Sequence, residues 1–97
     1  MLAIKKDACL ALGDSIILQA IPELDHYYAF DTISGDQFQI NHTAYWVLEA
    51  IQDGIDFQNL LTKFASAFDL NENEGKGDLM EVLNFALDNK IIKEGKP

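Results

Sequence analysis

Cysteine, histidine and clustered carboxylates are the groups with which a chain of this size could do chemistry. There is one cysteine, Cys9, and there are two histidines, His26 and His42. A cysteine or serine nucleophile needs a base within hydrogen-bond reach. Both histidines fall on loops or at a helix start, and a lone cysteine in so short a chain reads as an inert packing residue. A zinc centre would need cysteine pairs or two histidines one helical turn apart, and the sequence has neither. Glu72, Glu74, Asp78 and Glu81 are close enough to suggest calcium. They lack the alternating oxygen spacing and the central glycine of a calcium loop, so they read as a solvated acidic surface. Gly75-Lys76-Gly77 lacks the other positions of a phosphate-cradling loop. No catalysis, no metal and no cofactor is expected.

Charge narrows the partners. Sixteen acidic residues face seven basic ones, the net charge is −9, and every basic residue is lysine. Nucleic-acid binders displace counterions with cationic patches and fork arginine onto phosphate or guanine, so this balance argues against nucleic acid. The same reasoning argues against anionic membranes and phosphorylated substrates. Neutral or weakly basic peptide segments remain compatible.

Ninety-seven residues, 48% of them hydrophobic, suit one domain over 1–97, with residues 1–14 a short strand or ordered arm. Such a domain is too small for an enclosed active site with its own lid. The apolar runs fall short of the ~20 residues that span a bilayer. The N-terminus reaches Lys5, Lys6 and Asp7 without a secretory pattern, and a cytoplasmic location is expected.

Three strands are read at roughly 15–21, 27–32 and 36–40. SIILQAI is short and β-rich and stops at Pro22, which has no ladder donor. Tyr28, Phe30 and Thr32, then Phe38 and Ile40, put large side chains at every second position. Ser34-Gly35-Asp36 supplies the turn between them. Asn41 is positioned to cap a helix in which Ala44, Val47, Leu48 and Ile51 share one face up to Gly54. Asp56 caps a second helix with Phe57, Leu60, Leu61, Phe64, Ala65 and Phe68 at the same spacing. Asn71 to Gly77 reads as a polar connector too mixed to pack, the third helix as running from about Asp78 to Asn89, and Ile91-Ile92 as the closing pair. The expected fold class is α+β: a winged-helix-like domain, a three-stranded antiparallel sheet followed by three helices.

FDTISGDQFQIN with Thr43-Ala44, Asp53-Gly54, LLTKFASAFDL and DLMEVLNFALDNKII together resemble the PqqD-like family, over about residues 15 to 93. In that family a glycine commonly stands where this chain has Lys90. The resemblance implies a recognition element for ribosomally made, post-translationally modified peptides. Such a domain binds a precursor leader peptide between the third strand and the last helix, and serves a modifying enzyme, either a radical SAM maturase or a lasso-type leader peptidase.

The residues themselves point the same way. On the third helix Leu79, Leu83 and Ala86 define one direction, with Val82 on one flank, Met80 and Leu87 on the other, and Phe85 beyond Val82. That arc is wider than the ~100° stripe a surface helix needs to sit on its domain. The third strand, Asp36 to Ile40, is an edge with no partner left in its own sequence. It turns Phe38 and Ile40 to one side and Gln37 and Gln39 to the other. A peptide added there would touch Asp36, Gln37, Phe38, Gln39 and Ile40 on the strand, and Asp78, Val82, Phe85, Ala86 and Asn89 on the helix. The alternatives are a homodimer through the same edge and a winged-helix DNA-binding regulator. The latter would have to carry Asp78, Glu81 and Asp88 into the major groove.

Overall fold

The structure is a computed structural model and describes residues 8–95. Residues 1–7 of the expected arm lie outside the described residues. The chain runs β1 (Cys9–Leu12), β2 (Ile16–Ile21), a 3-10 turn (Pro22–Leu24), β3 (His26–Asp31), β4 (Gln37–Ile40), α1 (His42–Ile51), β5 (Ile55–Asp56), α2 (Phe57–Ala67), α3 (Glu72–Asp88) and β6 (Ile92–Gly95).

Strands β2, β3 and β4 form the antiparallel sheet expected from the alternation, in the order β2-β3-β4. Both predicted caps form. Asn41 Oδ1 accepts the Ala44 N–H at 2.8 Å, and Asp56 Oδ1 accepts the Asn59 N–H at 2.7 Å. Each satisfies a donor that the first helical turn would leave orphaned. The helix faces meet under the sheet, where Val47, Leu48, Ile51, Leu60, Phe64, Leu79 and Leu83 are at most 1% exposed. Trp46 packs against Phe64 and Phe68 at centroid distances of 5.8 and 5.4 Å, joining α1 to α2.

A second sheet, ordered β5-β1-β6, lies beyond the expected three strands. It pairs Cys9 with Asp56 on one side and Leu12 with Ile92 on the other, both antiparallel. These strands are two to four residues long and far apart in sequence, so no local periodicity marks them. Leu10, Ile91 and Ile92 are buried through this pairing, and Leu10 joins the core made by the helices.

The third helix corrects the expected boundary. It begins at Glu72, six residues before Asp78, and the supposed connector is its first turns. Asn71 Oδ1 accepts the Glu74 N–H at 2.8 Å, and Glu74 Oε1 accepts the Asn71 N–H at 3.3 Å, a reciprocal capping box. Glu72 and Glu74 also set negative charge at the positive end of the helix. Gly75 looks like a helix breaker, with a cost of about 1 kcal/mol relative to alanine. A Cβ there would lie 3.3 Å from Ala65 Cβ and 3.7 Å from Leu61 Cδ1, so the glycine lets α3 approach α2 closely. The packing it permits offsets its intrinsic cost.

Helices α2 and α3 both end in a Schellman motif without glycine. Ile91 N–H reaches Ala86 O at 2.8 Å and Lys90 N–H reaches Leu87 O at 3.1 Å, with Lys90 at φ 60°. Asp69, at φ 54°, does the same after α2. The left-handed conformation is one that glycine adopts without the Cβ penalty, which Lys90 and Asp69 both bear.

Candidate functional site

The site is built from the β3–β4 hairpin outward. Asp31 organises the turn. Its Oδ1 accepts the Ile33 N–H at 2.9 Å, the Ser34 N–H at 3.1 Å and the Ser15 hydroxyl at 2.9 Å. Its own N–H donates to Asp36 O at 2.9 Å, and its carbonyl accepts Gly35 N–H at 2.8 Å. Gly35 sits at φ 82°, as the turn requires. The Ser34 and Ile33 amides, and after them the Ser15 hydroxyl, hold the Asp31 carboxyl below its ordinary value of 3.8. Because the folded value is depressed, the carboxylate's contribution is present above the unfolded value and lost as pH falls through the folded one. In an acid titration followed by NMR, the Ile33 and Ser34 amide shifts should move together with a midpoint below 3.8. A midpoint at or above that value would remove Asp31 as the organiser of the turn.

This turn decides which way β4 presents its backbone. In an antiparallel ladder, hydrogen-bonded and non-hydrogen-bonded pairs alternate. The Asp31 N–H donating to Asp36 O sets the phase of the ladder, so the bonded pairs in the register are Ala29–Phe38 and Tyr27–Ile40. The main-chain N–H and C=O groups of Gln37 and Gln39 therefore face away from β3. Among the described residues no strand pairs with that outer edge, and β1 is committed to β5 and β6 instead.

Next to the edge stands α3. Leu79, Leu83 and Ala86 are at most 1% exposed, Val82 is half-buried, and Phe85 is 41% exposed. The Phe85 ring meets Phe38 edge-on at 6.3 Å and 89°. A groove of about 280 Å³ lies between strand and helix, lined by Gln39, Ile40, Asn41, Ala44, Glu81, Val82 and Phe85.

Of the residues expected at the site, Phe38, Gln39, Ile40, Val82 and Phe85 are brought together here, and Gln37 adds outward backbone. Asp36 is exposed and belongs to the turn, its N–H donating to Ser34 Oγ at 3.2 Å. Asp78 is exposed on α3 but does not line the groove. Ala86 is buried in the core, and the Asn89 side-chain amide is engaged with the Phe85 carbonyl at 2.9 Å. The sequence reading missed Asn41, Ala44 and Glu81 as lining residues. Asn41 was visible only as a cap and Ala44 only as a core position. Glu81 was visible only as part of a solvated acidic surface.

Against this geometry one solved structure matches over nearly its whole length. This chain has the fold of TbiB1. The structure of TbiB1 in complex with the TbiA(beta) leader peptide covers 90% of this chain and 99% of its own, at a TM-score of 0.74 and 10% sequence identity. No family model matches the chain, and no curated protein does. The fold shared with TbiB1 is the three-stranded antiparallel sheet followed by three helices. Among the described residues no helix is long and apolar enough to cross a membrane, and no three His, Cys, Asp or Glu side chains converge as a metal site would require. The exposed face of α3 carries Asp78, Glu81 and Asp88, a surface that phosphates would repel.

Proposed function

We propose that this chain is a non-catalytic, cytoplasmic adaptor. It captures the leader of a ribosomally made precursor peptide by strand addition and presents it to a modifying enzyme, a radical SAM maturase or a leader peptidase. One observation carries the reading: the open backbone edge of β4, at Gln37 and Gln39, leads into a groove where Gln39 stands beside the apolar wall of Val82 and Phe85. TbiB1, which shares the fold, was solved with a leader peptide bound, and this supports the reading.

The leader would lie along β4 as a fourth strand, its alternate side chains turned toward α3. Two outward residues offer at most two donors and two acceptors, each worth ~0.5–1.5 kcal/mol net. Association costs ~4–15 kcal/mol. At ~2–6 kcal/mol in all, the ladder alone barely reaches the lower end of that cost, so apolar anchors worth ~1.5–3 kcal/mol each must set the affinity. Holding the leader raises the effective concentration of the attached core at the enzyme's active site, with no catalytic group needed in the adaptor.

Titration of the isotopically labelled chain with a candidate precursor leader peptide tests this. The Gln37 and Gln39 amides should shift most and become protected from hydrogen exchange. Binding that leaves those two amides unchanged would rule strand addition out.

A further inference from the structure

We infer that Glu81 gives the groove a charge preference, selecting a segment that carries lysine or arginine two residues from an apolar anchor. This rests on the strand-addition reading and specifies its ligand. Glu81 is the one charged residue among those lining the groove; the others are apolar or neutral. It is exposed, and the one ion pair among the described residues joins Lys93 to Asp14, so nothing there neutralises Glu81. Asp78, also exposed, lies one turn earlier on the same flank of α3 and adds to the negative field. Lys76 and Lys90 stand toward the two ends of that helix, outside the groove lining.

The spacing follows from two geometries. Glu81 and Phe85 are four residues apart, so they stand ~6 Å apart along the helix axis. Same-side residues of an extended strand recur every ~6.6–6.8 Å. Phe38 meets Phe85 while Gln39 and Ile40 share the groove with Glu81 and Val82, so β4 and α3 run side by side in opposite directions. A strand added to β4 that seats an apolar side chain against Phe85 therefore brings its next same-side residue close to Glu81. A lysine or arginine there can lay its aliphatic stem on Val82 and hold its charge at the carboxylate. The apolar wall on one side keeps that pair less screened than one on open surface. A carboxylate at the same position would meet Glu81, Asp78 and the −9 net charge of the chain.

The test is selection of a random displayed peptide library on the intact chain and on its Glu81→Lys and Glu81→Gln variants, with Glu94→Lys on the other sheet as the control for general charge. Wild type should enrich peptides with a cation at a fixed two-residue offset from an apolar position. Glu81→Gln should lose that cation while keeping the apolar position, Glu81→Lys should select aspartate or glutamate in its place, and Glu94→Lys should match wild type. A wild-type consensus peptide should bind Glu81→Lys about fivefold more weakly. An apolar consensus with no cation, or a cation that Glu81→Lys leaves in place, overturns this inference while strand addition stands. No enriched consensus at all removes both.

Discussion

Gln39→Pro should weaken capture of a peptide by tenfold or more while leaving the fold intact. The Gln39 N–H faces the open edge, so proline there removes a donor that the β3–β4 ladder does not use. Edge positions of this kind tolerate proline. The bound strand would lose one hydrogen bond, ~0.5–1.5 kcal/mol, and keep an acceptor stranded at a further ~1–3 kcal/mol. Proline at Phe38 is the contrasting case. Its N–H points to β3, opposite Ala29, so the same substitution should unfold the hairpin. Affinity from calorimetry and the midpoint of thermal unfolding, measured on both variants, separate the two effects. Wild-type affinity in Gln39→Pro would mean that the edge of β4 is not where peptides bind.

The second large effect divides α3 between stability and recognition. Leu83 is fully buried, and Leu83→Ala should cost ~2–5 kcal/mol, since removing its side chain leaves a cavity among tightly packed neighbours. Phe85 is two residues away, 41% exposed, and touches Phe38 by the edge of its ring. Phe85→Ala should cost about 1 kcal/mol of stability, the size of the aromatic pair it breaks. It should nevertheless weaken peptide binding at least tenfold, because an apolar anchor worth ~1.5–3 kcal/mol is lost. Chemical denaturation and a binding titration on each variant give the comparison. Equal loss of stability in both, with binding unchanged in Phe85→Ala, would make the exposed flank a mere surface of the fold.

The division between those two residues was legible from spacing alone. At 100° per residue Leu83 centres the apolar arc and Phe85 falls beyond its Val82 flank, and the solvent exposure follows that order. The turn at Ser34-Gly35-Asp36 and the caps at Asn41 and Asp56 were legible for a similar reason. Each is a bargain among neighbours in sequence, made by a short polar side chain or a glycine within three or four residues of its partner. The beginning of α3 was not. Gly75 and Gly77 read locally as breaks, and only the close approach of Ala65 and Leu61 makes a glycine the fitting residue at Gly75.

The amino-acid sequence by itself determined the hairpin, the helix faces and the acidic, arginine-free surface, because alternation, helical spacing and charge are properties of adjacent residues. Tertiary structure alone decided that β1 pairs with β5 and β6 and so leaves the outer edge of β4 open among the described residues. It also decided that Asn41, Ala44 and Glu81 share a groove with Phe85, and that Ala86 lies beneath it. Those outcomes depend on contacts between segments tens of residues apart, each favoured only once the chain has closed the intervening loops around one core, and no local pattern encodes that.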